Sequence, residues 1–201
     1  MPRTDRRHAL AALLVAPLAL VAWPARAQAA FTLMQLMQLL GTVKAGEATF
    51  VEKREVAMLE RTLESSGRLS FEAPDTFVRE TLKPRNERVA VVGNTVTMSI
   101  GSRSRTVPLD SIAEAAVIIE AIRGTLTGNR DSLERHFTPT VSGDAARWSL
   151  VLAPRAPRLR ELVVSVRVSG QQALVREVVV AMADGDRSVM SIEPAASSAT
   201  R

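Results

Sequence analysis

The segment Val89-Ala90-Val91-Val92-Gly93-Asn94-Thr95-Val96-Thr97-Met98-Ser99-Ile100 reads as a β-hairpin. Val96, Met98 and Ile100 alternate with Thr95, Thr97 and Ser99, the period of a strand with one buried face, and Gly93-Asn94 is a two-residue turn pair. Gly101-Ser102 turns the chain again into a strand over 103–109. Upstream, the same period places strands over 48–58, with Phe50, Val56 and Met58 on one face, over 66–72, and over 76–83 between Pro74 and Pro84. Proline cannot donate to a ladder, so these two residues delimit the last of them. Every connection is too short to hold a returning helix, so the pattern is an antiparallel meander. Before it, Leu33, Leu36, Met37 and Leu40 form the apolar stripe of a helix over 29–43.

Downstream, Ser111-x-x-Glu114 reads as a capping box that opens a helix to about Arg123. Ile112, Ala115, Ile119 and Ile122 form its main stripe, while Val117, Ile118 and Ala121 lie elsewhere round the wheel. A helix apolar on most sides is buried on more than one. A short helix over 129–136 follows, then strands over 137–141, 147–152, 161–168, 174–183 and 187–193. Gly143, Gly170 and Asp184-Gly185 mark the turns among them. The expected class is α+β: a single curved antiparallel sheet of about eleven strands, an unclosed β-barrel, with helices covering its concave face.

The chain of 201 residues suits one domain, but its first segment stands apart. Arg3, Arg6 and Arg7 precede an apolar run from Ala9 to Trp23, and Ala25-Arg26-Ala27 has the small-x-small form of a cleavage site. Residues 1–27 are read as a secretory signal, leaving a domain over 28–201 that is soluble in the periplasm. The run is too short to span a membrane, and Pro17 interrupts it. The signal carries four Arg and one Asp, so 22 basic residues face 20 acidic ones in the remainder. That near balance supplies no basic face for nucleic acid. With no Cys there is no disulfide and no thiolate chemistry.

Catalysis finds little support. His136 is the one His after the signal, and it reads as a helix-terminal side chain near the last carbonyls. No nucleophile elbow, phosphate loop, dinucleotide fingerprint or zinc-ligand set is present. Asp184-Gly185-Asp186 lacks the rest of a calcium loop and reads as a hairpin turn. No enzyme activity, cofactor or metal is expected. What remains is apolar surface. Alternation is poor over 162–168 and 173–182, as in strands covered on both faces or lining a cavity. Met98, Met182 and Met190 suit a cavity for flexible chains, or equally an ordinary core.

Several short motifs, in order, resemble the outer-membrane lipoprotein carriers, the LolA-like family. Ala48-Thr49-Phe50-Val51-Glu52-Lys53 is similar to that family's small-x-Phe-x-Gln/Glu-Lys first strand. Gly67-Arg68-Leu69, Pro74 and Phe77 follow its G-x-L … R-P-x-x-F signature. Pro84 and Val91-Val92-Gly93-Asn94-Thr95-Val96 resemble its P … hydrophobic-x-D-G-x-x-hydrophobic hairpin. The resemblance implies acyl chains held between the concave sheet and its helical lid, with Ile112–Ile122 as lid. It also implies cargo taken from an inner-membrane donor complex and delivered to an outer-membrane acceptor by a monomeric carrier. There are departures. Ala73 replaces the family Arg that holds the lid and serves release, Val92 replaces the turn Asp, and Thr97 and Met98 occupy a usually aromatic segment. These fit a divergent relative serving another lipid or acylated product. A ligand-sensing or partner-binding regulatory domain on the same fold is the alternative.

The ligand-binding side chains expected on this reading are Phe50, Leu69, Phe71, Phe77, Arg79, Val89, Val91 and Met98 on the first strands. Ile112, Ala116 and Ile119 follow on the lid, then Trp148 and Met182 on later strands. Phe77, Arg79 and Thr81 share a face by alternation. Arg79 therefore either meets a carboxylate or phosphate head group at the cavity mouth or is an ordinary solvated arginine.

Overall fold

A computed structural model describes residues 30–59 and 61–195; the leader expected at 1–27 and the tail from 196 onward lie outside the described residues. The first helix, α1 (Leu33–Leu40), is shorter than its apolar pattern suggests. Thr32 caps it: its hydroxyl accepts from the Gln35 backbone N–H at 3.3 Å, and the Gln35 side chain accepts from the Thr32 N–H at 2.9 Å. This reciprocal box fixes the start four residues later than the sequence reading placed it. Gly41 closes the helix.

Six strands follow as a meander: β1 (Ala45–Val56), β2 (Arg61–Glu72), β3 (Thr76–Lys83), β4 (Glu87–Val92), β5 (Thr95–Ile100) and β6 (Arg103–Pro108). The β4–β5 turn is the expected Gly93-Asn94 pair, with Gly93 at φ +56°. Met58 corrects an expectation. It sits in a 3₁₀ turn, Ala57–Leu59, and is 94% exposed rather than on the inner face.

The chain then crosses from one edge of the sheet to the other. Helices α2 (Ala113–Leu126) and α3 (Arg130–His136) make that crossing, which is why the concave face is the covered one. Strands β7 (Phe137–Gly143), β8 (Trp148–Pro154), β9 (Val163–Gln171), β10 (Leu174–Met182) and β11 (Arg187–Pro194) return as a second meander, with a single turn of helix, α4 (Pro157–Arg160), between β8 and β9. The order is β6-β5-β4-β3-β2-β1-β11-β10-β9-β8-β7, all antiparallel, so the two meanders join where β1 pairs with β11. The sheet is one unclosed surface of eleven strands among the described residues. Its edges carry Pro139 in β7 and Pro108, Arg103 and Arg105 in β6, residue types that discourage further pairing.

Three expectations need correction. Ser111 caps no helix: it ends a 3₁₀ turn, Leu109–Ser111, and its hydroxyl donates to the Pro108 carbonyl at 2.6 Å. Helix α2 starts at Ala113 with Ile112 at the cap and no side-chain capping bond, because the buried Leu109 holds the turn in place. Gly170 is not in a turn. It lies within β9, where a Cβ would stand 2.5 Å from the Trp148 ring; the turn is made by Gln172, at φ 51°.

The third concerns which face of α2 is buried. Val117, Ala121, Gly124 and Thr125 are the buried residues, rather than the isoleucine stripe. Small side chains allow close approach: a Cβ on Gly124 would lie 2.6 Å from Leu133 of α3. This face docks on a core of Leu36, Met37, Leu40, Leu133, Phe137, Trp148, Leu150, Leu152, Val163, Val166 and Val168. A separate small cluster, Val91, Val96 and Leu109 with Phe77, Val89, Met98, Ala116 and Ile119 against it, lies under the other half of the sheet.

Candidate ligand-binding cavity

Between those two clusters the concave face is hollow. The cavity has a volume of about 460 Å³. Its roof is the isoleucine side of α2: Ile118, Ile119, Ile122 and Leu126. Its floor is built by alternation. Residues of equal parity on paired strands project to one face, so Leu69, Phe71, Phe77, Val89 and Val91 come from β2–β4, and Val178, Val180, Met182, Met190 and Ile192 from β10 and β11. Phe71 and Phe77 stack, with ring centroids 5.2 Å apart.

The side chains expected at the site divide. Leu69, Phe71, Phe77, Arg79, Val89, Val91, Ile119 and Met182 line the cavity. Five others do not. Trp148 fills the packed core and donates through its indole N–H to the Gln172 carbonyl at 2.8 Å. Met98 and Ala116 pack in the small cluster, Ile112 sits at the cap of α2, and Phe50 is buried beneath Arg79. Trp148 and Phe50 have inward parity on their strands, but neighbouring side chains cover them.

The floor also carries charge at its centre, on β1. Glu52 shares the parity of Phe50 and so faces inward. Its Oε2 accepts from Arg79 Nη2 at 2.5 Å and from the Ser65 hydroxyl at 3.1 Å, and its Oε1 accepts from the Ser188 hydroxyl at 2.5 Å. Burial pushes the Glu52 carboxyl up, but the Arg79 charge and the bonds from Ser188, Arg79 and Ser65 outweigh it and hold the group below its ordinary value. The Arg79 guanidinium lies 4.7 Å over the Phe50 ring. Arg79 is therefore neither a free head-group anchor nor a solvated surface arginine; its counter-ion comes from the protein. The sequence reading missed Glu52, although its spacing of two from Phe50 was the available signal.

Further along β1, Arg54 Nη2 donates to Asp186 at 2.9 Å, and the Ala57 N–H donates to the same carboxylate at 3.1 Å. These bonds hold Asp186 below the usual carboxylate range, the Arg54 bond foremost. Asp184 accepts from the Asp186 N–H at 3.0 Å, so Asp184-Gly185-Asp186 is a hairpin turn fastened to β1. His136 ends α3, with its Nδ1 3.0 Å from the Ser132 carbonyl oxygen. Among the described residues, no group of three or more His, Cys, Asp or Glu is placed to hold a metal. No described helix is long and apolar enough to cross a membrane.

On the roof, Arg123 of α2 donates to the Gly93 carbonyl at 2.6 Å and to Glu120 at 2.6 Å, with its guanidinium 6.0 Å from the Phe77 ring. It ties the helix to the β4–β5 turn.

The family profile described as outer membrane lipoprotein carrier protein LolA-like matches residues 25–201. The chain belongs to that family. No curated protein matches the sequence. Solved structures similar to this LolA-like chain include LolA superfamily protein NE2245 from Nitrosomonas europaea, at 8% identity and TM-score 0.45, covering 82% of this chain and 92% of that one. A putative outer membrane lipoprotein-sorting protein domain from Vibrio parahaemolyticus is 8% identical at TM-score 0.46, covering 84% and 93%. The Pseudomonas aeruginosa MucA/MucB complex is 13% identical at TM-score 0.43, covering 83% of this chain and 57% of that chain.

Proposed function

We propose that this LolA-like chain is exported by a signal over 1–27 and acts in the periplasm as a carrier. It binds the acyl chain of a lipid or lipoprotein in the cavity under α2 and moves it from the inner toward the outer membrane. The observation that carries the reading is the hollow itself: a largely apolar roof and floor stand apart, with no side chain of the described residues between them, beside a core packed to near-zero exposure. A volume near 460 Å³ falls in the range of single-ligand sites, roughly 300–1,000 Å³. Burying an acyl chain of about fourteen methylenes is worth about 10 kcal/mol, so a soluble carrier needs an apolar enclosure of this kind to compete with a bilayer.

Native mass spectrometry of the protein purified from the periplasm tests the binding step, and transfer of the bound lipid between donor and acceptor vesicles tests carriage. Co-purifying lipid that moves between vesicles supports the carrier. Lipid that binds but does not move indicates a sensing role instead. Ile119→Glu places a charge in the roof and is expected to abolish lipid retention; unchanged retention would put the ligand elsewhere.

A further inference from the structure

We propose that the ligand is recognised by a neutral hydrogen-bond acceptor, the carbonyl of an acyl ester or amide, docked on Arg79. This rests on the acyl-chain reading of the cavity and narrows it.

Glu52 and Arg79, with side chains 15% and 34% exposed, sit in a floor that is largely apolar apart from them, the Arg54–Asp186 pair, Arg187 and Glu47. A plain hydrocarbon lying over them strips water from charged groups and returns no hydrogen bond. The two residues differ in what they still need. Both Glu52 oxygens are occupied, Oε2 by Arg79 and Ser65 and Oε1 by Ser188. Among the described residues, Arg79 makes its hydrogen bonds through Nη2 alone, to Glu52 and Ser65. Its Nε is sealed from the cavity without a partner, while Nη1 is not sealed and makes no hydrogen bond among the described residues, so Nη1 is the donor a ligand can reach. The open capacity is a donor, and an acceptor completes it.

Charge then selects the kind of acceptor. Glu52 already balances Arg79, and Asp186 engages the neighbouring Arg54 at 2.9 Å. A carboxylate or phosphate placed on Arg79 meets the Glu52 charge at close range in a desolvated site, whereas a carbonyl accepts the same bond without that repulsion. The carbonyl that adjoins an apolar chain is the one linking the chain to its carrier. The favoured ligands are therefore ester- or amide-linked acyl lipids, ahead of free fatty acids.

The test is displacement of the neutral dye N-phenylnaphthylamine from the full chain by three probes of equal chain length: monomyristoylglycerol, its ether counterpart tetradecylglycerol, and myristate. The ester is expected to bind about tenfold more tightly than either of the others, a factor equivalent to ~1.4 kcal/mol. Glu52→Gln frees the Arg79 charge and is expected to bring myristate ahead of the ester by about tenfold. The double change Glu52→Gln with Arg79→Met is expected to remove the ester–ether difference, so that the two probes bind within about twofold of each other. If the double variant does not fold, the charge swap in Glu52→Gln decides alone. Equal displacement by all three probes overturns the docking of a carbonyl on Arg79 and leaves the acyl cavity standing. Displacement by none of them overturns both.

Discussion

The two halves of the concave face are built from one curved sheet with one alternation rule, yet they end differently. On the β7–β10 half, Leu150, Leu152, Val163 and Val166 are fully buried and Trp148 nearly so, all pressed against the helices. On the β2–β6 half only Val91 and Val96 reach comparable burial among strand hydrophobics, and Leu69, Phe71 and Phe77 face open space. The β7–β10 strands are also the more apolar, but apolar content alone does not decide where a helix docks. What separates them is where α2 can come close. Its Ala121–Gly124–Thr125 face is narrow enough to dock, so it settles on one half. Its isoleucine face, broad and branched, spans the other half without filling it. A hollow is what a single helix leaves when it satisfies one side of a strongly curved sheet.

That contrast can be broken most forcefully in the filled half. Leu150→Ala is expected to cost about 3–4 kcal/mol, because its pocket is fully enclosed; urea titration reads this directly, and a loss below ~1 kcal/mol would contradict a packed half. Gly170→Ala comes next, at about 2–3 kcal/mol, since the new methyl meets both the Leu174 carbonyl and the Trp148 ring. Trp148 fluorescence should shift with it, and an unshifted spectrum at wild-type stability would show that the strand has room.

Smaller effects sharpen the boundary. Arg79→Met leaves Glu52 without its counter-ion and is expected to cost about 1–2 kcal/mol at neutral pH, less than a fully buried pair. The pH sign follows from the lowered Glu52 value. The pair's stabilisation is fully present above the ordinary carboxyl value of 4.5 and is lost as pH falls through the lower folded value. Urea midpoints measured from pH 3 to 7 should show that acid-side loss in the wild type and a flatter profile in Arg79→Met. Leu69→Ala, in the hollow half, should change stability by less than ~1 kcal/mol while weakening dye binding; the reverse pattern would mean that the hollow is occupied by the protein's own side chains.

Much of the architecture was legible because it depends on local patterns. The β3 bounds, the Gly93-Asn94 turn and the succession of strands along the chain follow from period two and from Pro and Gly placement; the pairing of β1 with β11 does not. Even the α1 start was available, in Thr32-x-x-Gln35. Legibility failed where distant residues compete. Ser111-x-x-Glu114 has the spacing of a capping box, but buried Leu109 claims the turn for a 3₁₀ helix. Trp148, Met98 and Phe50 have inward parity, and parity says nothing about what lies on top. Arg79 was read without Glu52, because the pair is formed by strands whose register brings residues 27 positions apart to one place.

The order of residues was enough to set an antiparallel sheet with its helices inserted midway, since hydrogen-bonding period, turn chemistry and connection length act over a few residues at a time. It was also enough to show that α2 is apolar on more than one side. Which of those sides docks, and therefore where space is left and which charge stands in it, was decided only when the sheet curved and the helix crossed it. Close packing depends on the shapes of surfaces remote in the chain, and no local pattern records them.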